Sequence, residues 1–202
     1  MAAHTEAEVL LDRSNLLIML GRIEDALADL DRAVELEPSR SERYVSRAHT
    51  LAMLGRCDQA GADVARAHEL NPGAVDDSWL HAFSFVYACP QLYDLEHALE
   101  VSERQIRRDP GANWTQHSHA ILLYRAGRYE EALELQLQAD RGLGGQAASR
   151  FWLAMLHWQL GRDAAARADF DAAVEWWRSR APKDPTLIWL HEEAAALLGV
   201  GD

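Results

Sequence analysis

The strongest constraint on this chain is a register that recurs along it. A glycine is followed five residues later by an alanine at Gly21/Ala26, Gly55/Ala60, Gly127/Ala132 and Gly161/Ala166, in the strings LGRIEDA, LGRCDQA, AGRYEEA and LGRDAAA. The first two glycines are 34 residues apart, and so are the last two. The gap from Gly55 to Gly127 is 72 residues, two periods and four extra residues. A fixed period of this length is the mark of a repeat architecture, and it is read before anything else because it sets the whole fold.

Other columns keep the same register. A small residue stands seven positions before each glycine, at Ser14, Ala48, Ala120 and Ala154, and another twelve after it, at Ala33, Ala67, Ala139 and Ala173. Proline closes three units, at Pro38, Pro72 and Pro110. Between these markers apolar residues fall at helical spacing: Leu10, Leu17, Ile18 and Leu20, then Ile23, Leu27, Leu30 and Val34. Each unit therefore reads as two antiparallel helices. Glycine ends the first in a left-handed conformation, small residues let the two approach, and proline stops the second. A pair this small cannot bury its own apolar face, so it must stack on its neighbours. The third unit keeps Ala98 and Pro110, but YACPQLYDLE replaces its short glycine turn and carries the insertion around Cys89–Tyr93.

The pattern resembles the tetratricopeptide repeat, a helix–turn–helix unit of 34 residues. The resemblance covers about 7–180. It implies an all-α, right-handed α-solenoid of five helix pairs, 7–40, 41–74, 75–112, 113–146 and 147–180, after a tail at 1–6. The segment 181–202 then reads as a capping helix: Asp184 is an N-cap, Pro185 sits at the first helical position, and Leu187, Leu190, Ala194, Leu197 and Leu198 form one stripe while Glu192 and Glu193 face elsewhere. Eleven helices are expected.

The resemblance also implies a function. In this family the first helices of the pairs line a concave groove that binds partners. Carried over position by position, the groove residues are Asn15 and His49 in the first two repeats and Trp79, Phe83 and Tyr87 in the third. The fourth supplies Trp114, His117 and Tyr124, the fifth Phe151, Met155 and Trp158, and the cap Trp189. An aromatic stripe at helical spacing reads equally as core or as binding surface, although Trp and Tyr are enriched in binding hot spots. The carboxylate clamp of the heat-shock adaptors is not expected, because its lysines are missing: His49 and Met53 occupy that part of the groove. The expected partner is a protein or peptide, apolar or basic. The alternative is a self-associating scaffold in which the exposed first helix or the groove docks a second copy.

The last third is also similar to the C-terminal repeat arrays of some bacterial multidomain serine/threonine kinases, which implies a bacterial signalling context, with the chain a fragment or a stand-alone relative. It holds no glycine-rich phosphate loop, His-Arg-Asp or Asp-Phe-Gly.

Composition narrows the classes further. A net charge of −12 argues against nucleic acid as the main partner. Arg104, Arg107 and Arg108 read as a solvated helix end. No stretch approaches the roughly 20 apolar residues of a membrane span, and residues 1–8 lack the basic and apolar regions of a secretory signal. A cytoplasmic location is expected. Cys57 and Cys89 match no zinc or redox spacing and read as two unpaired thiols. Among nine histidines, His117 and His119 point to different faces, His191-Glu192-Glu193 lacks a second ligand, and His157 reads as a core histidine. Neither catalysis nor a metal or other cofactor is expected.

Overall fold

The glycine register is realised as a recurring helix stop. Gly21, Gly55, Gly127 and Gly161 have φ of 73°, 68°, 75° and 68°, in the left-handed region. At each, the glycine N–H donates to the carbonyl three residues back, and the next N–H to the carbonyl five back: Gly127 to Tyr124 at 3.0 Å and Arg128 to Leu123 at 2.9 Å, for example. These are the two bonds of a Schellman motif, and they satisfy carbonyls that the helix end leaves unpaired. The second helix begins almost at once, so the two must lie antiparallel.

The computed structural model describes residues 2–72, 89, 92, 94–144, 146–180 and 183–200. All regular elements among them are helices. They are α1 (Ala2–Met19), α2 (Ile23–Leu36), α3 (Ser41–Met53), α4 (Cys57–Leu70), α5 (Leu95–Arg108), α6 (Asn113–Arg125), α7 (Tyr129–Leu143), α8 (Ala147–Gln159), α9 (Asp163–Arg180) and α10 (Pro185–Leu198). The eleventh expected helix, with Trp79, Phe83 and Tyr87, lies outside the described residues. The chain divides into two units, the described residues of 1–94 with 183–185, and those of 95–182 with 186–202.

In both units the small-residue columns sit at helix crossings. Ala26, Ala60, Ala132 and Ala166 are fully buried, as are Ala33, Ala67, Ala139 and Ala173. Any larger side chain there would push the helices apart. In the first unit, Leu27, Ala48, Leu51, Ala52, Ala60 and Cys89 form one core cluster. Ion pairs tie its helices together at the edges. Arg13 on α1 grips Asp29 on α2, with Nε 2.6 Å from the carboxylate. Arg43, only 4% exposed, joins Glu37 at the end of α2 to Glu8 on α1.

Cys57 and Cys89 are bonded to each other, with Cα atoms 5.5 Å apart across 32 residues of sequence. This corrects the expectation of two unpaired thiols. Spacing along the chain held no sign of it, because the pairing is made by the fold: Cys57 opens α4 and Cys89 lies in the core against which α4 packs.

In the second unit, α10 covers α8 and α9. Leu187, Leu190, Ala194 and Leu198 are buried, as the stripe predicts. Outside that stripe, Glu193 accepts two hydrogen bonds from Arg125 at the end of α6, at 2.5 and 2.7 Å.

Candidate partner-binding site

The structure sorts the expected groove residues by exposure. In the first unit Asn15 is exposed on α1 and His49 is half-buried on α3. In the second, Trp114 is 51% exposed at the start of α6. Trp158 and Trp189 are half-buried. Phe151 and Met155 are fully buried, His117 is 1% exposed and Tyr124 8%. The last four therefore support the surface from beneath and leave a partner little to touch.

The reason is the load each carries. Phe151 lies edge-on to Phe170 at 5.8 Å and to His191 of α10 at 6.0 Å. His191 also stacks on Phe170 at 5.5 Å. The capping helix thus makes Phe151 and Phe170 of the fifth repeat part of the core. Tyr124 packs edge-on against the buried Trp152, 5.3 Å away, and Arg125 lies over both rings while bonding Glu193.

His117 heads a buried polar chain. Its Nδ1 is 2.9 Å from Oε1 of Gln136, whose amide N–H donates to Ser149 at 2.8 Å. Ser149 in turn donates to Asp140 at 2.6 Å. The amide oxygen can only accept, so Nδ1 carries the proton. Burial lowers the pKa of His117 to about 4, so the ring is neutral at physiological pH. Trp114 stands edge-on over it, 5.7 Å away. His157 bonds Asp169 at 3.0 Å, in keeping with its reading as a packed histidine.

An apolar strip was less legible in the sequence. Val9, Leu16 and Met19 on α1, with Leu20 directly after it, are each at least 60% exposed. Among the described residues, one group of side chains, His4, Glu8 and Glu37, has three ligand atoms close enough together for a metal. The Arg43 guanidinium already lies on both of its carboxylates, which is the arrangement of an ion-pair network.

Two hollows occupy equivalent places, one in each unit. In the first, Arg47 bridges Asp31 at 2.9 Å and Asp63 at 2.7 Å in the wall of a cavity of about 290 Å³. In the second, a cavity of about 340 Å³ lies between α5, α6 and α7, with Glu103, His119 and Leu135 at the corresponding positions. Sequence reading missed this pair. The signal was available as an arginine eight residues before the turn glycine and an aspartate eight after it, at Arg13/Asp29 and Arg47/Asp63.

The sequence model of the tetratricopeptide repeat matches residues 11–75 and 118–185. The chain belongs to the tetratricopeptide repeat family. Proteins of this family are in general non-catalytic modules that bind other proteins. A thermophilic tetratricopeptide repeat protein of Thermus thermophilus superposes with a TM-score of 0.68 at 25% identity, covering 95% of this chain and 98% of that one. PilF of Pseudomonas aeruginosa gives 0.63 at 14% identity over 99% and 91%. MamA of Desulfovibrio magneticus gives 0.55 at 18% over 87% and 97%. The latter two likenesses speak to fold alone. No curated protein matches the sequence. No helix among the described residues of this tetratricopeptide repeat protein is long and apolar enough to cross a membrane.

Proposed function

We propose that the chain is a non-catalytic adaptor whose first-helix surfaces bind a peptide or helix of another protein, with Trp114 as the main anchor in the second unit. One observation carries the reading: a tryptophan half exposed at the second position of its repeat, where the family places groove residues. A large aromatic that keeps half its surface in water loses hydrophobic stabilisation that a partner would restore. Trp158 and Trp189, both half-buried, are the further aromatic members of this surface in the second unit. Asn15 and His49 belong to the surface of the first, and Trp79, Phe83 and Tyr87 extend it in the sequence. The buried His117, Tyr124, Phe151 and Met155 hold this surface in place. The partner is apolar or basic, because the chain is acidic and its open side chains are aromatic.

The test is a Trp114→Ala variant whose circular dichroism matches the wild type, compared with it for affinity toward the captured partner. A loss of tenfold or more supports the anchor; equal affinity removes it.

A second reading rests on α1. Its strip of Val9, Leu16 and Met19, with Leu20 directly after it, suits a second copy of the chain, making the protein a self-associating scaffold. Leu16→Asp would then turn a concentration-dependent dimer into a monomer in analytical ultracentrifugation, and a wild type monomeric at all concentrations would reject this reading.

A further inference from the structure

The two equivalent hollows differ in one chemical respect. In the first unit the wall contains its own cation: the Arg47 guanidinium lies between Asp31 and Asp63, and Arg56 lines the same space. In the second unit, Arg47 is replaced by His119 and Asp63 by Leu135, while Asp31 is matched by Glu103. Where the first unit has Gln59 and Ala62, the second has Glu131 and Glu134. The internal guanidinium is gone, and three carboxylates line the second hollow where two line the first.

Neighbouring arginines only partly replace it. Arg107 lines the hollow, but it stays 66% exposed and comes no nearer than 3.7 Å to Glu103. Arg128 is engaged bidentately by Glu131. Glu134 has no hydrogen bond or ion pair among the described residues.

The one buried polar side chain of the lining, His119, offers an acceptor. Ser102 donates its hydroxyl proton to the carbonyl of Leu99, at 2.9 Å, and its oxygen lies 2.6 Å from Nδ1 of His119. Nδ1 must therefore donate, which leaves Nε2 as a lone-pair acceptor in a neutral ring. Burial keeps that ring neutral by lowering its pKa. His119 is 8% exposed, and among the described residues its hydrogen bond is to Ser102 alone. The carboxylates and the ring do not converge closely enough to share a metal ion. The walls between them are the apolar Ile106, Leu123 and Leu135. Three carboxylates and the His119 acceptor outnumber the two exposed donors of the rim, Arg107 and Gln138, and with apolar sides between them they suit a group that is all donor on an aliphatic stem, which describes an arginine side chain.

We propose that the cavity between α5, α6 and α7 is a receptor for an arginine side chain of a basic partner, filling from outside the place that Arg47 occupies from inside in the first unit. The lining shares no residue with the proposed first-helix aromatic surface, so the proposal does not depend on that reading.

The probe is N-acetyl-L-arginine amide, titrated into the full chain by NMR, with the citrulline analogue as the uncharged isostere. The expected result is saturable shifts of the His119 and Leu135 signals with arginine, and citrulline weaker by about tenfold or more. Glu134→Gln, at an exposed position, is expected to weaken arginine binding by about tenfold. The double substitution His119→Arg/Leu135→Asp writes the first unit's ion pair into the second and is expected to keep the fold and abolish the response. No shift in the wild type, an equal response to citrulline, or a double variant that still binds would overturn the proposal.

Discussion

Reducing the Cys57–Cys89 bond removes a covalent closure across 32 residues of sequence. Its contribution can be worked from that separation. For a loop of about 33 residues the chain-entropy relation gives a loss of ~3.7 kcal/mol at 25 °C, mostly through the greater freedom of the unfolded chain. Because the chain has two units, a single global transition is a poor gauge. Hydrogen exchange read peptide by peptide is better. Amides of α3 and α4, which share a core cluster with Cys89, are expected to exchange up to about 500-fold faster in the reduced protein or in Cys57→Ser. Amides of α8 and α9, in the other unit, are expected to change far less. Tryptophan fluorescence gives an independent check, because six of the seven tryptophans fall at or after Trp114, in the second unit. A reductant should therefore shift the circular dichroism melt more than the fluorescence melt. Two alkylatable thiols in the unreduced native protein, or unchanged protection in α3 and α4, would refute the reasoning.

Three further outcomes follow from the same geometry. Arg47→Met leaves the buried carboxylate of Asp63 without its partner and is expected to destabilise by about 2–3 kcal/mol in urea titration; a change under about 0.5 kcal/mol would show the pair to be idle. His117 has a folded pKa of about 4, below its unfolded value near 6.5, so the unfolded chain binds the extra proton between those values. Stability is therefore lost as pH falls from about 6.5 toward 4, by up to ~3 kcal/mol, and His117→Gln is expected to flatten the urea midpoint's dependence over that window. Phe151→Ala empties a fully buried site beneath α10 and is expected to cost about 3–5 kcal/mol by denaturant melt, which an accessible groove residue would not.

The helix pairs were legible because each is written several times. The turn glycines must adopt positive φ, and the crossing alanines must be small, so both columns survive in four repeats and read directly as structure. The candidate site was only partly legible, because position in the repeat gives direction and not cover. Phe151 and Trp114 both belong to first helices, yet one lies under α10 and the other stays open at the start of α6. Which of them is covered depends on where a helix distant in sequence packs. Cys57–Cys89 was invisible for the same reason. The Arg47 and His119 hollows were missed for another: their meaning appears only when a charge pair in one repeat is set against its absence in another.

The most direct test of the central claim is the affinity of the captured partner for wild-type chain and for Trp114→Ala, measured by isothermal titration with both proteins checked for equal helicity. The adaptor account predicts binding by the wild type and at least tenfold weaker binding by the variant. Equal affinities would contradict it and move recognition away from the aromatic surface of the second unit.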